Sequence, residues 1–296
     1  MPLFAAASRR RLEWMHMNMR AAIVGAFAVL VLAGAAWGGW WSMRPAPADS
    51  EAADTEATPL PIPPIPPRIA QGDDYERCLS MLVSDPEGAQ ALAETWQTAG
   101  GSEGAEHCLA LARIALGDPE EGAGMLEKLA ADSHGTPSAR AAIYRQATQA
   151  WLMTADAAHA FATSSQALAL SPDDPDLLID RAVAAGSLER WQDSVDDLTR
   201  ALDVDRNRPD AMVLRGSAWR HLGHDELAQD DVDRALAIDP ENAEALLERG
   251  ILRQRRADTA GARDDWQKAI TLAPDTPTAD LAEQNLALLE AGPDRH

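Results

Sequence analysis

One phrase recurs along this chain at a fixed pitch. "ALALSPDDPD" begins at Ala167, "ALDVDRNRPD" at Ala201, "ALAIDPENAE" at Ala235 and "AITLAPDTPT" at Ala269, each 34 residues after the last. Every copy is the apolar end of a helix, a stop, and a new start. Laid end to end, Ala141–Asp174, Pro175–Arg208, Pro209–Asn242 and Ala243–Thr276 align in phase. A constant pitch means that one supersecondary unit is repeated. No single unit can bury its own apolar face, so about three or more must stack to make a core. Nowhere after Gly72 does apolar residue alternate with polar for long enough to make a strand. The fold class is all-α.

The residues inside each copy carry a resemblance. Small residues recur in the first helix at Thr148, Ala182, Gly216 and Gly250, and in the second at Ala160, Ser194, Ala228 and Ala262, then at Ala167, Ala201, Ala235 and Ala269. A closing proline stands at Pro172, Pro240 and Pro274, with Arg206 in its place in the second copy. Tyr144, Trp151, Trp191 and Trp219 keep part of the aromatic pattern. The chain resembles the tetratricopeptide-repeat (TPR) proteins, whose unit is a helix-turn-helix of 34 residues. The resemblance implies a superhelix of antiparallel helix hairpins. Small residues let the paired helices approach, and large ones between them fill the gap. Residues 141–276 form four repeats and 103–140 a looser one, whose link to the next is four residues longer. Residues 73–102 precede them as a helix pair, with Asp85 and Pro86 at a helix start and Gly100–Gly101 as the stop. Residues 277–296 add a capping helix, polar on its outer face, and a tail.

Arg181, Arg215 and Arg249 share one repeat position, and Asp197, Asp231 and Asp265 share another. The first repeat has Ala147 and Thr163 there and loses both members together. Joint loss points to ion pairs formed within each repeat, partly buried and setting helix register. Asp196–Arg200, Asp230–Arg234 and Asp264–Lys268 are expected to form an i,i+4 surface ladder.

By resemblance, the first helices line a concave wall. The residues expected to face it are Arg145, Gln149, Ile179, Val183, Val213, Ser217, Leu247 and Ile251, with Arg220 one turn further. The family's clamp for acidic C-terminal peptides needs Lys and Asn at several of these places, and this sequence departs from it almost completely. What remains is a mostly apolar strip with Arg at one end, suited to an amphipathic helix or an extended apolar peptide. Coverage of some of these residues by neighbouring helices is the competing reading.

Upstream, composition changes twice. "AAIVGAFAVLVLAGAAWGGWW", residues 21–41, carries no charge. As a helix it would span about 31 Å, enough for a bilayer core. Arg9, Arg10, Arg11 and Arg20 precede it and Arg44 alone follows closely. That bias places residues 1–20 in the cytoplasm and all that follows residue 41 outside. The expectation is a single-pass anchor in a bacterial inner membrane with a periplasmic head. Secretion after cleavage near Ala33, Gly34, Ala35 and Ala36 is the alternative; an apolar run continuing through Trp37, Trp40 and Trp41 favours the anchor. Residues 42–72 hold eight prolines between Pro45 and Pro67 among acidic and small residues, the composition of a partly polyproline-II tether. Cys78 and Cys108 are the only cysteines, and export would let them pair; two buried free thiols are the other reading.

Charge and motif then bound the function. Beyond Arg44, 21 basic residues face 46 acidic ones, a field that argues against nucleic acid. No phosphate loop, GxSxG, HExxH or Cys-His arrangement is present, and no CxxC or HxxxH spacing supports a metal. Neither catalysis nor a cofactor is expected. The reading is a membrane-tethered scaffold that binds a protein or peptide partner in the cell envelope. An assembly factor holding unfolded clients, as in cytochrome c maturation, and an inert spacer are the alternatives.

Overall fold

The computed structural model describes residues 68–291, which form thirteen α-helices and no strand. In order these are α1 (Asp73–Met81), α2 (Pro86–Thr98), α3 (Glu103–Ala115), α4 (Pro119–Asp132), α5 (Pro137–Met153), α6 (Ala157–Leu170), α7 (Pro175–Ser187), α8 (Trp191–Val204), α9 (Pro209–His221), α10 (Asp225–Ile238), α11 (Ala243–Arg255), α12 (Thr259–Leu272) and α13 (Pro277–Ala291). The expected membrane span, residues 21–41, lies outside the described residues. Among those described, no helix is long and apolar enough to cross a membrane.

Local chemistry starts the helices. Asp85, Asp156, Asn242 and Asp258 accept hydrogen bonds from the backbone N–H of Gly88, His159, Ala245 and Gly261, each three residues on. Proline opens α2, α4, α5, α7, α9 and α13, where its missing N–H costs nothing. The hairpin turns repeat too. Ala155, Glu189, Gly223 and Ala257 stand at one repeat position, all with left-handed backbone, at φ 59°, 59°, 80° and 61°. Only the third repeat places glycine where glycine is unstrained.

Each helix packs on the next in sequence, so the chain builds a stack of antiparallel hairpins. Odd-numbered helices also touch one another along the stack, from α5 to α7, α9, α11 and α13, whereas no even-numbered pair packs comparably. Tight odd-numbered rows and splayed even-numbered rows bend the stack, leaving the odd helices on the concave side. The seams need small residues. A Cβ on Gly250 would collide with the Trp266 indole, and that fully buried indole donates to the Leu247 carbonyl at 3.2 Å.

The first helices are joined differently. A disulfide links Cys78 on α1 to Cys108 on α3, with Cα atoms 6.2 Å apart and both residues fully buried. Beside it runs a buried polar chain. The Tyr75 hydroxyl meets His107 Nδ1 at 2.5 Å, and His107 Nε2 meets Gln146 Oε1 at 2.6 Å, joining α1, α3 and α5. The glutamine oxygen can only accept, so Nε2 carries the proton and Tyr75 donates to Nδ1. A neutral ring fits both contacts. Burial pushes His107 down to about 4 from 6.5, against the hydrogen bond to Gln146. The unfolded chain therefore binds the extra proton between these values, and stability falls as pH drops through that window, by about 3 kcal/mol in all. The difference in urea midpoint between the native chain and His107→Gln, followed from pH 7 to pH 4, should show this slope.

Candidate functional site

The concave wall is held by arginines. Arg181 on α7 donates through Nε and Nη2 to both carboxylate oxygens of Asp197 on α8, at 2.7 and 2.6 Å. Arg215 does the same to Asp231, both at 2.7 Å, and Arg249 to Asp265 at 2.9 and 2.7 Å. All three carboxylates are buried, and the two-pronged geometry fixes the angle of each hairpin. Arg181 and Arg215 reach one repeat further back as well, to the hydroxyls of Ser165 at 3.5 Å and Thr199 at 3.1 Å. In the first repeat, the buried Thr163 hydroxyl donates to Glu127 of α4 instead.

The expected surface ladder is only partly present. Arg234 lies 3.8 Å from Asp230. Arg200 and Lys268 turn away from their helical neighbours and donate to the carbonyls of Pro172 and Pro240, at 2.9 and 3.0 Å. Those carbonyls lie just past the end of the preceding helix, where backbone acceptors need partners from outside it, and an exposed i,i+4 pair adds little in competition. Arg200 also lies 3.6 Å from exposed Asp173.

The expected apolar strip also needs correction. Ile179, Val213 and Leu247 are 8%, 6% and 7% exposed, because each sits in the seam where neighbouring odd helices meet. Val183, Ile251, Gln149 and Ser217 are half-buried. The arginines of the wall already have partners. Arg145 donates to Asp180 and Asp176 of α7, both at 2.9 Å. Arg208, just before α9, donates to Asp176 at 2.8 Å and to Asp210 at 3.0 and 2.7 Å. Arg220 donates to Glu248 of α11 at 2.7 and 3.1 Å. Burial pushes the Asp180 carboxyl up to about 6, against the pull of Arg145. This half of the wall is a self-satisfied polar network linking successive repeats.

The open part lies toward the C-terminus. Between α9, α11 and α13 is a cavity of about 470 Å³, with Val213, Leu214, Leu247 and Leu281 among its lining and Asp210 and Glu244 at its lip. Leu281 belongs to α13 and is 49% exposed, while Leu288, two turns on, is 68% exposed. The capping helix is thus not polar all round: its exposed leucines extend the wall by one more helix.

No family model matches the sequence, and no curated protein matches it. Solved structures do. PilF of Pseudomonas aeruginosa superposes with a TM-score of 0.56 at 15% identity, over 72% of this chain and 96% of that one. TTC0263, a thermophilic TPR protein in Thermus thermophilus, gives 0.51 at 18% identity, over 63% and 100%. The Cut9–Hcn1 hetero-tetramer of APC/C gives 0.56 at 16% identity, over 72% of this chain and 42% of that one. The fold is a TPR fold.

Within the TPR frame, the cavity is built from equivalent positions. Asp176, Asp210 and Glu244 each take the second place of their repeat, and Ile179, Val213 and Leu247 the fifth. Thr278 and Leu281 take the same two places on α13, one pitch later. The cavity therefore spans the last two intervals of the TPR trough. Sequence reasoning had no sign of Asp176, Asp180 and Glu248 as partners of Arg145 and Arg220, since those contacts join different repeats. Among the described residues, no group of His, Cys, Asp or Glu is placed to hold a metal ion.

Proposed function

We propose that this chain is a non-catalytic protein-interaction scaffold that docks a segment of a partner protein in its TPR trough. The observation that carries this reading is the apolar cavity between α9, α11 and α13, which stays open although ion pairs bridge the intervals from α5 to α7 and from α7 to α9. Exposed Leu281 at its edge, with exposed Leu288 two turns further along α13, adds apolar surface that water covers at a cost. We further propose that residues 21–41 hold the head at a bacterial inner membrane, with residues 42–72 as the tether and the repeats outside the cytoplasm. The uncharged run, the arginines before it and the bonded Cys78–Cys108 pair support that placement.

The test is site-specific photocrosslinking in the native host, with the photoreactive residue at Leu281 and, as control, at exposed Asp264 on α12. Leu281 is preferred to Val213, whose burial would confound docking with folding. A discrete partner trapped from residue 281 and not from residue 264 is the expected result. Equal trapping at both positions, or none at residue 281, overturns the docking reading.

A further inference from the structure

The lip of the cavity departs from the pattern of the repeats before it, and the departure has a chemical sense. Asp176 and Asp210 occupy one repeat position, and Arg208 lies between them, bonded to both. Glu244 is their equivalent one repeat later. The equivalent of Arg208 is Asn242, whose side chain is engaged in capping α11, accepting from Ala245 N–H at 2.8 Å. Arg220, the other nearby guanidinium, is committed to Glu248. Glu244 is thus exposed at the mouth of an apolar cavity, with no ion pair among the described residues. A carboxylate in the first turn of a helix gains from the dipole alone. The same holds for Asp176 and Asp210, yet both also hold an arginine.

We infer that the cavity accepts a basic, amphipathic segment of a partner protein: an apolar side chain enters between Val213, Leu247 and Leu281, and a Lys or Arg beside it pairs with Glu244. The partner's cation thereby takes the place that Arg208 fills within the chain. A charged pair at the rim of a desolvated apolar contact sets orientation and selects against acidic segments. The wider field agrees, because the acidic balance of the whole chain, −21 at pH 7, draws basic partners toward it. This inference rests on the docking reading above and adds the chemistry of the occupant.

The experiment uses the purified full-length chain and two fluorescein-labelled amphipathic peptides of one length, one Leu/Lys and one Leu/Glu, followed by anisotropy. The Leu/Lys peptide should bind and the Leu/Glu peptide should not. Glu244→Lys should weaken Leu/Lys binding by about ten-fold or more, and Leu281→Ser by several-fold. Asp264→Lys, the same change in net charge on another face, should leave it within about two-fold. Failure of the Leu/Lys peptide to bind, equal binding of both peptides, or equal weakening by Asp264→Lys overturns the inference. Crosslinking from residue 281 to an acidic or uncharged segment of a partner would end it too, while leaving the scaffold reading in place.

Discussion

Arg181→Met is expected to destabilise the repeat head by about 3 kcal/mol, the largest effect among the three arginines that pair within their own repeats. Asp197 is buried, and Arg181 is the only cation bonded to it among the described residues, so the variant strands a desolvated carboxylate. The other two pairs have reserves. Asp231 keeps Arg234 at 3.4 Å if Arg215 is lost, and Asp265 keeps Arg253 at 2.8 Å if Arg249 is lost. The order of damage should therefore be Arg181→Met, then Arg215→Met, then Arg249→Met. Arg181→Met combined with Asp197→Leu should return to within about 1 kcal/mol of the native chain, since a buried pair adds little net stability over apolar packing. Urea denaturation of the single and double variants measures both statements. Additive losses in the double variant would mean that the pair does not couple α7 to α8.

Removing the disulfide is the second large effect. Cys78 and Cys108 close a 30-residue separation, and opening it should cost about 3–4 kcal/mol in the chain-entropy model. The loss should be local. Repeat stacks are stabilised by nearest-neighbour interfaces, so α1 to α3 should loosen while α7 to α12 keep their protection. Hydrogen exchange with and without reductant, or on Cys78→Ala, reads this directly. Uniform loss of protection through Asp265 would show that the stack melts as one unit. Unchanged protection at α1 would show that the bond adds nothing.

How far the sequence alone reaches can be seen in particular residues. The helix start at Asp85, the proline openings and the 34-residue pitch depend on groups within a few positions of one another, and a periodic chain supplies its own internal alignment. The relation of Arg181 to Asp197 is written there for the same reason: the first repeat lacks both residues together. Contacts between repeats leave no such trace. Arg145 with Asp180, Arg220 with Glu248, and Lys268 with the Pro240 carbonyl depend on how far each hairpin is rotated on the last. That rotation is a balance of many side chains across each seam, with no single residue to announce it. It also buries Val213 and Leu247, which by position alone belonged to an open strip, and leaves Leu281 exposed beside Glu244. The sequence by itself therefore determined the unit, its count and its internal ion pairs, because these are local and repeated. Only the tertiary structure decided which part of the trough is filled and which stays open, because that depends on the summed geometry of neighbouring seams.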